Sequence, residues 1–247
     1  MPRPFRLVSL LAAGALGLGA CGGEEDPTTA TSAGAPQRPE SAQPRPQAPA
    51  QSGARGCQDV EAPPPKGGVS LPEPTLQLER DTVYTAVMDT SCGPIEIRLA
   101  NRESPETAAS FVSLARRGFY DGLTFHRIGK DATGGDFVIQ GGDPLGSGQG
   151  DPGYSVVEPP PEGVVYDRGT VAMAKTEIEE PGTSGSQFFI VTADNAKLPP
   201  DYALLGEVVE GRQTVADIAS VEVDQTTEAP KQPVVISDIE IEESEGE

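Results

Sequence analysis

Few residues in this chain are equipped to do chemistry. Of its 247 residues, one is a histidine, His126, and three are cysteines, Cys21, Cys57 and Cys92. A single imidazole removes His-rich metal sites and leaves one candidate base for any Ser-His or Cys-His arrangement. Asp143 and Asp151 stand beside glycines, but the ligand spacing of a calcium loop is absent, so no metal is expected. Gly146-Ser-Gly-Gln-Gly150 is glycine-rich, yet Pro152 follows and no helix opens there, unlike a dinucleotide loop. Gly182-Thr-Ser-Gly-Ser186 lacks the closing glycine of a nucleophile elbow. What remains is a cation, an amide and an aromatic pair: Arg127, Gln140 and Phe188-Phe189. Alone, Arg127 reads as a surface charge. Beside Gln140 and the phenylalanines it reads as a donor of charge-assisted hydrogen bonds at a site.

Three segments carry these residues: Tyr120-Asp-Gly-Leu-Thr-Phe-His-Arg127, Phe137-Val-Ile-Gln-Gly-Gly-Asp-Pro144 and Gly185-Ser-Gln-Phe-Phe-Ile190. With Gly169-Thr-Val-Ala-Met-Ala174 and Leu205-Gly-Glu-Val208, they resemble the cyclophilins, in family order across about Asp81 to Glu242. The resemblance implies a mainly β fold, a closed eight-stranded antiparallel barrel capped by two helices. It also implies peptidyl-prolyl cis/trans isomerisation without a cofactor. An X–Pro bond turns slowly because amide resonance sets a barrier of roughly 18–20 kcal/mol. No covalent bond is made or broken. In the twisted amide the prolyl nitrogen regains its lone pair, and a guanidinium can bond to it as it cannot to the planar form.

By resemblance Arg127 is that donor, and Gln140 both bonds the substrate backbone and positions Arg127. Phe137, Val138, Phe189 and Leu198 line a proline pocket, while Ala174, Lys175 and Gln187 border the peptide groove. Tyr202 falls where many members carry a pocket histidine, and Lys175 replaces the usual asparagine. Lys197 stands near the tryptophan of cyclosporin-sensitive members, and the chain has no tryptophan, so tight binding of that drug is not expected. Lys130-Asp-Ala-Thr-Gly-Gly135 is longer than the usual spacing and reads as a surface loop insertion. His126, next to Arg127 on a strand, should point to the opposite face and be structural. A proline-peptide binding module or chaperone without turnover is the alternative from another class; it needs the pocket but not the guanidinium.

The elements that must position these groups are legible in part. Tyr84–Asp89 and Pro94–Leu99 read as paired strands around a Cys92-Gly93 turn, with Ile95, Ile97 and Leu99 on one face. Ser104 suits an N-cap and Pro105 the first helical turn; Phe111, Leu114 and Ala115 form an apolar stripe, and Gly118 a stop. Short strands follow at Leu123–Ile128, Phe137–Gln140, Thr170–Ala174, Gln187–Thr192 and Ala203–Val208. A second helix is expected over Gln213–Ala219, and a last strand over Val234–Ile241. On the Phe188-Phe189 strand one ring faces the core, and the resemblance makes Phe189 the other.

Outside the domain, the chain reads as an address and a tether. Arg3 and Arg6 precede an apolar run, Leu7–Ala20, too short to span about 30 Å of hydrocarbon and read as a signal segment, 1–20. It ends in Leu18-Gly19-Ala20-Cys21, which resembles a bacterial lipobox with Cys21 as the lipidated residue. Residues 21–56 are then a Pro/Ala-rich disordered linker within a biased stretch running to Pro65, and 57–79 an N-terminal extension. The isomerase domain is 80–242 and 243–247 an acidic tail. Lipidation of Cys21 leaves Cys57 and Cys92, either a disulfide pair outside the cytosol or two separate thiols. The expected protein is thus exported, anchored to the cell membrane through Cys21 on its extracytoplasmic side, and monomeric. Its partners are proline-containing polypeptides, whose folding it would assist. A formal net charge of −20 repels phosphate backbones, so nucleic acid is excluded.

Overall fold

The structure, a computed structural model, describes residues 56–246. The signal segment, Cys21 and the linker as far as residue 55 lie outside the described residues, and the reading of them is carried forward only as a proposal. Ten strands and two helices follow in the order β1 Thr82–Thr90, β2 Gly93–Leu99, α1 Pro105–Ala115, β3 Phe125–Lys130, β4 Asp136–Gly141 and β5 Val156–Val157. Then come β6 Thr170–Met173, β7 Thr183–Ser184, β8 Phe188–Val191, β9 Leu204–Glu210, α2 Arg212–Ala219 and β10 Ile236–Glu245. Eight strands form one antiparallel sheet in the order β10-β1-β2-β9-β6-β8-β4-β3, and β5 pairs with β7 separately. The fold is mainly β with two helices on a curled sheet. Its two edge strands are linked by a single bridge, Thr124↔Val235, flanked by Phe125 N–H to Val234 O (2.9 Å) and Ile236 N–H to Leu123 O (2.8 Å).

Alternation explains the core. Along β2, Ile95, Ile97 and Leu99 are buried, and from β1 Tyr84, Ala86 and Met88 meet them. The α1 stripe brings Phe111 against Tyr120 and Phe188, with ring centroids 4.9 and 6.0 Å away, and Phe125 packs edge-on to Phe188 at 5.9 Å. Phe188 therefore belongs to the main core. Phe189 belongs to a second, smaller cluster with Val138, Tyr166, Ala172 and Val191.

Three features depart from the sequence reading. Ser104 sits before α1 but makes no capping bond; its side chain is buried, and Oγ has no partner among the described residues. Glu158, more than fifty residues away, caps the helix instead: its carboxylate accepts Glu106 N–H at 3.2 Å and Thr107 N–H at 2.8 Å. The long-range carboxylate satisfies two orphan donors and faces the positive helix end, which a short local hydroxyl does less well. Second, residues 243–245 of the expected acidic tail continue β10, with Glu243, Ser244 and Glu245 opposite Tyr84, Val83 and Thr82. Backbone pairing with β1 holds these acids in the ladder while their side chains stay exposed. Third, β5 and β7 carry only two residues each and left no periodic trace.

The extension 57–79 has no helix or strand, but it lies on the domain. Lys66 N–H bonds Pro144 O and Leu71 N–H bonds Pro152 O, while Val69, Leu71, Leu76 and Leu78 pack against the core. Lys66 Nζ donates to Gly118 O (2.9 Å) and Phe119 O (2.8 Å), just past the end of α1, where carbonyls lack helical partners. Gly118 adopts φ 64°, the left-handed stop expected of it. Cys57 and Cys92 form a disulfide, so the start of the extension is fixed to the turn before β2.

Candidate functional site

Register alone assembles the centre of the site. Arg127 on β3 lies directly across from Gln140 on β4, which lies across from Phe189 on β8. Side chains at facing positions of neighbouring strands touch, so three residues distant in sequence become one row. Arg127 Nη1 donates to Gln140 Oε1 at 3.3 Å. The Lys130–Gly135 insertion forms the exposed β3–β4 turn, where Asp131 Oδ1 accepts the N–H of Thr133 and of Gly135, both at 2.8 Å. The extra residues are absorbed there, and the Arg127–Gln140 pairing is kept.

Strict alternation would place Phe125 and Arg127 on one face and Ile128 on the other. Instead Phe125 and Ile128 are both in the core, because the ladder shifts register between Phe125 and Arg127. Such a bulge re-aims a side chain. It turns Arg127 outward to the cleft and leaves His126 away from it. The expectation for His126 thus agrees with its placement, but for another reason than simple alternation. Its imidazole is held below the ordinary value of 6.5, chiefly by burial, with the nearby Asp143 carboxylate opposing.

Arg127, Phe137, Val138, Gln140, Ala174, Lys175, Phe189, Leu198 and Tyr202 line one cleft of about 150 Å³. Of the residues singled out in the sequence for binding, only Gln187 stands apart from it. Gln187 receives Gln140 Nε2–H on Oε1 at 3.1 Å and donates from Nε2 to Gly150 O at 2.8 Å. It lines an adjacent depression of about 190 Å³ with Gly148–Asp151 and Glu179. Gln140, Ala174 and Lys175 line both hollows, so an extended chain can run from one into the other. Lys175 Nζ lies 5.8 Å from the Tyr202 ring centroid and donates to the carbonyls of Thr176 and Glu179.

The cleft has an aromatic frame. Tyr202 meets Phe189 edge-on at 5.3 Å, and Tyr166 stands behind both, at 6.0 Å from Tyr202 and 6.5 Å from Phe189. Tyr166 Oη donates to Tyr202 O (2.6 Å) and accepts Tyr202 N–H (3.1 Å), which fixes the Tyr202 backbone. Burial pushes the Tyr166 hydroxyl to about 12, and it pushes Tyr202 up as well, with Asp201 and Glu177 adding to the shift. Both hydroxyls stay protonated near neutral pH. Tyr166 was not legible in the sequence, since an aromatic in an irregular segment carries no periodic signal. Glu228 was missed too: its Oε2 accepts Arg127 Nε–H at 2.7 Å.

Among the described residues no group of three or more His, Cys, Asp or Glu is placed to hold a metal, and no helix is long and apolar enough to cross a membrane. The arrangement offers a cleft walled by apolar and aromatic side chains, with the Gln140 amide, Lys175 and the Arg127 guanidinium lining it as well.

Known proteins share this pattern. The family described as "Cyclophilin type peptidyl-prolyl cis-trans isomerase/CLD" matches residues 85–241. A Mycobacterium tuberculosis protein named "Probable peptidyl-prolyl cis-trans isomerase B" is 41% identical over 165 residues, covering 61% of this chain. The chain spans about half the length of that relative, 51%. Peptidyl-prolyl cis-trans isomerase B of Streptomyces anulatus is 37% identical over 64% of this chain and 95% of its own length. The crystal structure of a Cryptosporidium parvum cyclophilin type isomerase superposes with a TM-score of 0.59 at 29% identity, covering 65% of this chain and 98% of that one. With the family pattern matched over most of the described domain, the chain belongs to the cyclophilin-type peptidyl-prolyl cis-trans isomerases.

Proposed function

We propose that this protein catalyses cis/trans isomerisation of X–Pro bonds in exported polypeptides, with Arg127 as the residue on which turnover depends. The observation that carries the reading is the row Arg127–Gln140–Phe189, a guanidinium lining a cleft with Phe137, Val138, Phe189, Leu198 and Tyr202. The proline ring enters between Phe137, Val138, Phe189, Leu198 and Tyr202, where burial of its methylenes supplies affinity. Gln140 and the backbone near Ala174 hold the flanking peptide in an extended form. As the amide twists, its nitrogen becomes an acceptor, and Arg127 donates to it. A bond made only in that state lowers the barrier without tightening ground-state binding. A contribution of about 2–4 kcal/mol corresponds to about 30- to 1000-fold in rate.

The test is exchange between cis and trans forms of a short X–Pro peptide, followed by NMR with wild type and Arg127→Ala. The variant should melt like wild type, bind the peptide with similar affinity and lose most of the exchange. A folded variant as fast as wild type refutes the role of Arg127. If neither protein catalyses exchange while both bind the peptide, the domain is a proline-peptide binding module.

Residues 1–56 support the rest of the reading: export, cleavage before Cys21, lipidation there and a tether long enough to free the domain from the membrane surface. The Cys57–Cys92 disulfide suits an oxidising compartment outside the cytosol. Intact mass of detergent-extracted protein should show a diacylated N-terminal Cys21; a different mature N-terminus removes the anchor. The Thr124↔Val235 bridge is read as the seam of a closed barrel, and the protein as a monomer.

A further inference from the structure

The guanidinium of Arg127 is held on three sides, and only one of them, Gln140, was expected. Gln140 Oε1 accepts a hydrogen bond from Nη1–H. The Nε edge is occupied by Glu228, from the irregular segment between α2 and β10, at 2.7 Å. From beneath, the group rests on Gly129: a Cβ there would stand 3.0 Å from Nη2, 3.2 Å from Cζ and 3.3 Å from Nη1. A guanidinium has five N–H donors in a fixed fork. With Nε–H and one Nη1 proton committed, its remaining protons are the ones free for substrate.

Glu228 is itself held in place. Its other carboxylate oxygen, Oε1, accepts Lys130 N–H at 3.2 Å, its carbonyl accepts Ile128 N–H at 2.9 Å, and its own N–H bonds Asp224 O at 2.9 Å. Two of these bonds go to β3, the strand that carries Arg127. The residue has φ 57°, the left-handed region that disfavours a side chain with a Cβ. Glycine or asparagine would fit that backbone with less strain. A glutamate at this backbone conformation, with both oxygens engaged, is consistent with work done by its side chain. Asp224 supports the turn from within, its Oδ1 accepting the N–H of Thr226 and of Thr227, both at 2.9 Å.

We infer that Glu228 is a positioning residue for turnover: with Gly129 beneath, it locks the plane of the Arg127 guanidinium so that the free Nη protons face the cleft. This rests on the assignment of Arg127 as the catalytic donor. The ion pair is partly open to water, with side-chain exposures of 35% and 30%, so its strength is modest. Its effect lies in direction. A free arginine samples several rotamers, and a small misplacement of a reacting group can cost up to about 100-fold in rate. Glu228 is not among the residues lining the cleft and should not alter substrate affinity.

Six variants test this in the full chain: Glu228→Gln, Glu228→Gly, Glu228→Asp, Gly129→Ala, Arg127→Ala and Arg127→Lys. The glycine variant removes the carboxylate while relieving the positive φ, so lost backbone strain cannot be mistaken for lost position. Both Glu228 variants should lower the exchange rate at saturating X–Pro peptide by roughly 10-fold, with peptide Kd unchanged. Glu228→Asp should recover little, since its shorter arm cannot hold Arg127 Nε and Lys130 N–H together. Gly129→Ala should act in the same direction by lifting the guanidinium. In ¹⁵N NMR the Arg127 Nε–H signal, assigned by its loss in Arg127→Lys, should be slow to exchange in wild type and fast in Glu228→Gln. If Arg127→Ala is crippled while folded Glu228→Gln and Glu228→Gly turn over like wild type, Glu228 has no positioning role and the Arg127 reading survives. Weaker peptide binding at unchanged saturated rate also overturns the positioning role. If Arg127→Ala itself turns over like wild type, the assignment beneath it fails first.

Discussion

Replacing Phe189 by alanine should weaken the protein and its substrate binding together, and the two losses can be worked separately. Phe189 is 4% exposed and packs with Val138, Tyr166, Ala172 and Val191, so truncation removes a core contact as well as a cleft wall. A buried Phe→Ala change costs about 3–5 kcal/mol; because one side of this ring borders an open cleft, the lower end, about 3 kcal/mol, applies. For a domain of this size about 1 kcal/mol moves the melting temperature by about 2–4 °C, which gives a fall of about 6–12 °C. On the binding side, losing about 40–80 Å² of ring surface from contact with the proline at about 25 cal/mol per Å² removes about 1–2 kcal/mol. Peptide Kd should therefore rise by about 5- to 30-fold. The assays are thermal melts of the free protein and titration of an X–Pro peptide well below the variant's melting range. A lower melting temperature with unchanged Kd would show that Phe189 is core only and that the proline ring sits elsewhere. Unchanged stability would contradict the burial on which both estimates rest.

Other perturbations read other parts of the structure. Glu158→Ala removes the carboxylate that caps α1 and should cost about 1–2 kcal/mol, seen as a lower melting temperature, with isomer exchange at ambient temperature unchanged; an unaltered melt means that water caps the helix equally well. His126 has its folded-state pKa lowered by burial, so the unfolded chain takes up the proton first. Its contribution to stability is complete above the unfolded value near 6.5 and is lost as the pH falls below it. The drop in melting temperature between about pH 7.5 and about pH 5.5 should shrink in His126→Leu, and an equal drop in both proteins rejects the assignment.

Much of the site was legible because its residues sit in three contiguous motifs on strands. Phe188 and Phe189, adjacent on β8, had to face opposite ways, and they do: one ring packs on Phe111, Tyr120 and Phe125, the other on Tyr202. The β2 alternation and the α1 stripe were equally readable, since burial on one face imposes its period on the sequence. What the sequence could not carry were partnerships that depend on where the chain returns. Ser104 looked like a cap by local rule, but Glu158 arrives through folding and does the work. The acidic end looked solvated by composition, yet β1 offers it an open edge and backbone hydrogen bonds are indifferent to side-chain charge. Arg127 is the sharpest case. Its type and motif are written in the sequence, but its direction is not. A bulge after Phe125 turns it outward, Gln140 and Glu228 hold opposite edges of its guanidinium, and Gly129 leaves the space beneath it. Sequence determined which groups were present and which strands carried them; only tertiary structure could aim them, because aim is set by contacts between residues as far as 101 positions apart.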